Sequence, residues 1–527
     1  MKFNPKARTL LCYAIVLACT AAVFVRVLGF DFVSWDDLDL VITNPILHPA
    51  SVEHLKQIWS GPCLGLYTPV PYTIWWLVSA ISGGTDHPIL FHAINFILHL
   101  CASSLVLSIL MRCFRSTIAA VLGALIFSLH PLQVEPVVWV SGMNGVLAGA
   151  LALVSMRLYL AFVDRRSPGR WGYYAAASLA FVLALLSKPT AVTAPLMIVL
   201  LDLLILRRPW RDLAGSMLPW IGAAAVFAAI AHQVQPASHM LAPPVWQRPA
   251  VAVDAIAHYL GKLFWPFHLT IDYARTPAWV LENHRWTVGL LALAIVGAFL
   301  FAARRYSKGI AIGLLIVVIA LLPVLGFIPF DLQRFSTVAD RYMYLAMFGA
   351  ALALSWSLAS ANRRVFYFAG GLIACLLGSL SFVQAGFWKD TNRLAEHTLS
   401  LDTGSYAGNL IYGKAHSQRG DWYDAAACFR TALLRVPDES SLHYNLANAL
   451  QEMSRDDDSI SEYQLAIQGH DSRVWPRAAY NLGVLYMKMG RLDLAESQFK
   501  QVLQNDPENA AAQQNLRYLS PARVRFQ

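Results

Sequence analysis

The chain has 527 residues, of which 57% are hydrophobic and only 14% charged, and its mean hydropathy is +0.48. A soluble protein of this length needs far more polar surface, so a soluble globular enzyme is excluded. The formal net charge of +9 sits mostly in short turns between apolar runs, where it orients helices, and this argues against nucleic acid as a partner.

In chain order, the apolar runs predict an all-α membrane bundle of about eleven crossings: 9–29, 88–111, 116–130, 137–162, 171–187, 190–206, 213–233, 286–303, 309–328, 342–360 and 365–385. Each is about long enough for a hydrocarbon core of ~30 Å. The first run follows a basic start but lacks a small-x-small cleavage site, so it reads as a retained helix. Basic residues alternate between the two sides. Lys6 and Arg8, Arg112 and Arg115, Arg165 and Arg166, Arg207 and Arg208, Arg304 and Arg305, and Arg363 and Arg364 mark the cytoplasmic side. The stretch Pro249–Leu269 carries Asp254, His258 and Lys262 and reads as a re-entrant or surface helix. If it spans, the C-terminal tail changes sides. The seven cysteines are scattered and form no disulfide framework.

The first external connection, 30–87, opens with "FDFVSWDDLDLVITNP", which holds Asp31, Asp36, Asp37 and Asp39. Phe32 and Trp35 are expected to hold the pair Asp36–Asp37 against the bilayer surface. The following "SVEHLKQIWSG" and "YTPVPYTIWWLVSAISGG" suit interfacial helices. A carboxylate so placed is a candidate general base; alternatively the pair caps a short helix or marks a turn. His92, Asn95 and His99 share one helix face, suited to interhelical hydrogen bonds or a cavity. His130 and Glu135 sit in a later external connection and are candidates for lining the same cavity, with no complete metal-ligand set readable.

After Trp388 the composition turns polar and alanine-rich. Gly413, Gly420, Ala425, Phe429, Ala432 and Pro437 have tetratricopeptide (TPR) spacing, repeated 34 residues on with Ser454 and Ser459 in place of Gly and Ala. A third copy restores Gly483, Gly490, Ala495, Phe499 and Pro507, and 508–519 supplies a capping helix. Asn409, Asn445, Asn448 and Asn481 fall on first helices, which line the concave face of such stacks. They are candidates for holding an extended peptide.

"FVSWDD…VITNP", "YTPVPYTIWWL", "FHAINFILHL", "LHPLQVEPVVWVSG", "LLSKPTAVTAP" and "ADRYMYL" occur in the order seen in the transmembrane-and-TPR O-mannosyltransferases. The resemblance covers the whole chain, and bacterial relatives of that group carry the same arrangement, so the chain looks like a bacterial-type member. It implies a glycosyltransferase class C bundle over 1–390 followed by a TPR α-solenoid over 391–527. Asp36 or Asp37 then looks like the catalytic base, and Arg341 and Lys188 like ligands of a donor phosphate, both also readable as interfacial anchors. The chain departs from the family pattern at Thr68, Gln133, Met143, Asn144 and Gly145.

The expected function is transfer of mannose or a similar hexose from a polyprenyl-phosphate donor to Ser/Thr hydroxyls of a protein acceptor held by the repeats. No nucleotide cofactor is needed, and a divalent metal is left open. The expected location is a bacterial inner membrane with periplasmic repeats, or the endoplasmic reticulum in a eukaryote. The alternatives are a non-catalytic TPR scaffold for envelope assembly and a lipid- or glycan-modifying transferase of the same fold.

Overall fold

The computed structural model describes residues 4–63, 65–164, 169–234, 242–302, 308–361, 363–469, 471 and 474–526, with side chains up to 519. Arg165, Arg166, Arg304 and Arg305 lie outside the described residues. The described residues are helical with one isolated bridge, Cys63–Leu66, and form two compact units, Met1–Asp390 and Thr391–Gln527.

Among the described residues of the first unit eight helices are long and apolar enough to cross a membrane: Pro5–Gly29, Pro88–Cys113, Val140–Asp164, Pro189–Leu206, Trp210–Val234, Arg285–Ala302, Asp340–Ala361 and Arg364–Phe387. The pair Thr117–Leu129 and Pro131–Val138 makes a ninth if its 52° bend is counted within one span. Pro131 lacks the N–H needed to continue the helix and sits at the break. The count of eleven is therefore not reached by length. The expected spans 171–187 and 309–328 are the helices Arg170–Leu185 and Lys308–Leu321, of 16 and 14 residues. Pro189 and Pro323 follow their ends.

The helix Thr117–Leu129 is the hub, packing against Pro5–Phe24, Pro88–Cys113, Met343–Ala361 and Arg364–Phe387. Its run of small residues lets neighbours approach: the Ser355 hydroxyl reaches the Ala119 carbonyl at 3.0 Å. At the other extreme, Arg285–Ala302 buries only 6% of its apolar window and exposes Leu291, Ile295 and Phe299. That surface suits lipid.

The segment expected to be re-entrant or superficial forms the helix Arg248–Phe264, which is not among the apolar spans. Asp254, His258 and Lys262 recur every four residues and share one face. Asp254 pairs with Arg275 at 2.5 Å, the His258 ring meets Tyr273 at 4.6 Å, and Lys262 donates to the Phe267 carbonyl at 2.6 Å. The polar stripe thus docks the helix on the segment that follows it.

The second unit stacks three helix pairs, Tyr406–Arg419 with Trp422–Leu433, Ser440–Glu452 with Asp456–Gln468, and Trp475–Lys488 with Leu492–Asn505. Thr391–Leu401 precedes them and Ala510–Phe526 follows. The paired helices touch at glycine: a Cβ on Gly413 would lie 2.5 Å from Phe429, and one on Gly483 2.8 Å from Phe499. The turns after the first helices are left-handed, at φ +81° for Gly420 and +72° for Gly490. Ser454 takes the same turn at φ +58°, a conformation L-residues avoid by roughly 1–2 kcal/mol.

Candidate functional site

The connection after the first helix is a packed body. Val41, Leu47, Ile58, Tyr72 and Trp75 form a core with Phe91, Val140 and Met143 of the bundle. Helices Val52–Ser60 and Pro69–Ser82 carry most of it. Trp35 is buried, and Phe32 packs on Phe91 at 5.6 Å. The expectation that these rings hold the acid pair against the bilayer is corrected: they hold it against protein, because the loop folds back onto the bundle.

This packing separates the two acids. Asp37 is fully buried, and its carboxylate accepts from the backbone N–H of Val33 at 3.0 Å, the backbone N–H of Ser141 at 3.0 Å and the Ser141 hydroxyl at 2.5 Å. Burial pushes Asp37 up to about 7, against the pull of those three donors. The two Ser141 donors fix the loop to the stretch after Trp139, and the Val33 N–H closes a turn within the loop. Asp36 is half-buried and bears electrostatically on Arg341, Tyr72 and Asp37. Asp31 and Asp39 are exposed.

Arg341 lies within the helical turn Asp340–Tyr342 ahead of Met343–Ala361. Its guanidinium pairs with Glu135, whose other oxygen accepts the Arg341 backbone N–H at 3.1 Å, and both side chains are buried. The guanidinium also lies over Trp139 at 5.6 Å and Tyr342 at 5.4 Å. The Lys188 ammonium lies 5.6 Å from the centre of the same Tyr342 ring. Burial, and then the Arg341 charge, bring Lys188 down to about 8, with Glu135 opposing. Lys188, Arg341, Tyr342, Thr190 and Gly145 line a cavity of about 20 Å³. A Cβ on Gly145 would meet Lys188 Nζ at 3.3 Å, so the departure at that position lies directly against the lysine.

Asp36, Arg341 and Lys188 are thus brought to one locality, and the other candidates for lining it are not. Glu135 is the partner of Arg341. His92 is buried with Nε2 3.4 Å from the Asp31 carbonyl, and His99 lies between the Tyr344 hydroxyl and the Ser128 carbonyl, both at 3.1 Å. His130 Nε2 is 3.1 Å from the Leu263 carbonyl, while its Nδ1 accepts from Leu132 N–H. None of the four lines that cavity; each fixes backbone or charge between helices, as buried polar groups in a bundle must. Among the described residues no group of three His, Cys, Asp or Glu is arranged to hold a metal ion.

In the repeats, Asn448 and Asn481 line a groove of about 300 Å³ with Trp422, Gln451, Glu452, Tyr463 and Val484. Asn409 is corrected: it is buried and donates to the Thr403 and Ser405 carbonyls at 2.9 and 2.8 Å, closing the turn before its own helix. Asn445 is half-buried and outside the groove lining. Ser141 and Tyr342 carry parts of the membrane site that sequence reading did not single out. Both stand inside the motifs "VVWVSG" and "ADRYMYL", so their signal was position beside a motif rather than residue type.

The family of dolichyl-phosphate-mannose-protein mannosyltransferases matches residues 67–234, and tetratricopeptide repeats match 413–473 and 476–509. The chain thus combines a segment that matches the mannosyltransferase family with TPR repeats. The matched membrane segment contains Glu135, Ser141 and Lys188; Asp36, Asp37 and Arg341 fall outside it. Human protein O-mannosyl-transferase TMTC1 is 24% identical over 544 residues, covering 90% of this chain and 56% of that protein. Drosophila melanogaster protein O-mannosyl-transferase Tmtc2 is 27% identical over 218 residues, 39% of this chain and 22% of its own length. The chain therefore spans little more than half of the one and under a quarter of the other. Among solved structures, the first TPR of Spaghetti (RPAP3) bound to an HSP90 peptide is 22% identical over 23% of this chain and 96% of that one, with a TM-score of 0.22.

Proposed function

We propose that this multi-pass membrane protein is an O-glycosyltransferase that moves mannose or a similar hexose from a polyprenyl-phosphate donor to Ser/Thr hydroxyls of a protein acceptor. The observation that carries the reading is Asp36 standing within electrostatic reach of Arg341, with Lys188 beside the same Tyr342 ring that Arg341 meets. A half-buried carboxylate is suited to take the hydroxyl proton. The freed oxygen attacks the anomeric carbon, the bond from that carbon to the phosphate oxygen breaks, and the lipid phosphate leaves with both electrons. One displacement inverts the anomeric centre. Lys188 and Arg341 supply positive charge where the phosphate gains negative charge. Glu135 holds Arg341 in place, and Asp37 is a positioning residue acting through the loop.

The site and the repeats are assigned to the external face, periplasmic in a bacterium, with the basic turns on the cytoplasmic side. Comparing intact masses of envelope proteins from cells carrying the wild type, a deletion and Asp36→Asn tests the reading. Loss of a hexose-sized increment in both altered strains is expected. An unchanged profile, with the variant present in the membrane, overturns it in favour of a scaffold or a non-protein acceptor.

A further inference from the structure

The helix Arg248–Phe264 keeps its charges inside. Asp254 is buried against Arg275, and His258 and Lys262 are half-buried over Tyr273. Between 245 and 265 the exposed residues are Val245, Trp246, Pro249, Gly261, Phe264 and Trp265, all of them apolar. Trp246, Phe264 and Trp265 are 76%, 74% and 68% exposed. A helix facing water carries its charges on the outer side. The opposite arrangement fits a lipid environment, and tryptophan near both ends suits the layer between headgroups and acyl chains.

The helix lies along one end of the bundle. The single connection between Lys308–Leu321 and Met343–Ala361 runs beside it: Arg248 donates to the Phe327 carbonyl at 3.0 Å, and Tyr259 meets Ala339. Further on, the Leu269 carbonyl accepts from Gln384 at 3.2 Å, near the finish of Arg364–Phe387. Val253 touches the first turns of Arg285–Ala302, where a Cβ on Gly289 would lie 2.9 Å from its side chain. The apolar outer side is thereby continuous with the exposed Leu291 and Ile295 of that span.

The same helix holds the turn that carries Arg341. The Tyr259 hydroxyl accepts from the Ala339 N–H at 3.1 Å and faces the Ala339 carbonyl at 3.4 Å. In the segment that follows the helix, the Tyr273 hydroxyl donates to the Asp340 carboxylate at 2.9 Å. The Arg275 carbonyl accepts from the Thr337 N–H, also at 2.9 Å.

We propose that Trp246, Phe264 and Trp265 seat Arg248–Phe264 in the interfacial layer of the bilayer, and that Tyr259 and Tyr273, as positioning residues, transmit this seat to the Arg341 turn. Only the use of that turn for a donor phosphate rests on the transferase reading.

The test uses the full chain in phosphatidylcholine nanodiscs doped with a phosphatidylcholine that carries a diazirine at the headgroup end of its acyl chain. After illumination, peptide mass spectrometry is expected to find lipid adducts on 245–246 and 264–265 as dense as those on Arg285–Ala302. No adducts there, because water or a second copy covers the helix, overturns the proposal. Amide hydrogen exchange over 336–345 reads the transmission. It is expected to rise about tenfold in Tyr259→Phe and in Trp246→Ser/Trp265→Ser, the scale of one lost hydrogen bond, with exchange over 88–113 unchanged. Trp246→Phe/Trp265→Phe restores the wild-type rate. Wild-type exchange in Tyr259→Phe or in a Ser variant that has lost its adducts, or an equal rise over 88–113, overturns the transmission. Adducts and exchange as expected in a chain that attaches no hexose uphold the seat and count against the transferase reading alone.

Discussion

In the repeat unit, packing partners come from the same helix pair or the next one: Gly413 faces Phe429, and Asn448 meets Asn481 33 positions on. In the membrane unit the decisive contacts cross the chain, with Ser141 on Asp37 over 104 positions and Arg341 on Glu135 over 206. The repeats build a groove by periodicity, so one repeat's error is local. The membrane site is assembled from a loop, a helix break and a helix start. There a single missing partner leaves a buried charge.

The largest expected effect follows from that difference. Arg341→Met strands the Glu135 carboxylate in the interior, and loss of one partner of a buried pair costs about 3–5 kcal/mol. Thermal unfolding in detergent checks it, and the double variant Arg341→Met/Glu135→Gln is expected to recover much of the loss. An effect confined to activity would show that the pair is solvated.

Asp37→Asn sharpens the contrast between neighbouring acids. The amide cannot accept from both sets of donors, so one buried hydrogen bond is lost at about 1–3 kcal/mol. Asp36→Asn is expected to abolish transfer with unfolding unchanged. Equal loss of stability in both would place both acids in the clamp. The Asp37 carboxyl, held up to about 7 by burial, also binds its proton more tightly in the folded than in the unfolded chain. Its contribution to stability is therefore present at low pH and is lost as pH rises through about 7. The Asn variant flattens that slope.

Lys188, at about 8, is cationic below that pH and neutral above it. The donor KM is accordingly expected to rise above pH 8, approaching about tenfold per pH unit, and Lys188→Arg moves the rise beyond the accessible range. A flat KM between pH 7 and 9 would remove Lys188 from phosphate binding.

The smallest effect belongs to the repeats. Ser454→Gly relieves a left-handed turn that Gly420 and Gly490 make without strain, and is expected to stabilise the unit by about 1 kcal/mol. Calorimetry of the full chain, following the transition of the repeats, reads it. No gain would mean that the serine side chain compensates the backbone.

The residues that sequence reading brought together correctly, and those it did not, separate along the same line. The helical membrane class followed from run length and hydropathy, and the TPR stack from a 34-residue period that fixes which small residue meets which aromatic. Asn448 and Asn481 were legible because the repeat carries them to one face; Asn409 stands four residues before Gly413, where Asn481 stands two before Gly483, and off that register it closes the turn at Thr403. His92, Asn95 and His99 share a helix face in the sequence, yet only the neighbouring helices decide that they meet carbonyls. Asp36 and Asp37 are chemically identical neighbours, and no local signal tells them apart.

By itself the sequence determined the helices, the order of membrane and repeat segments, and the presence of acids and cations at helix ends, because these depend on the composition of contiguous windows. Tertiary structure alone decided that Asp37 is clamped by Ser141, that Glu135 engages Arg341, and that Lys188 faces the bare backbone of Gly145. Those outcomes turn on desolvation and charge pairing between distant segments, which a chain acquires only when its helices pack.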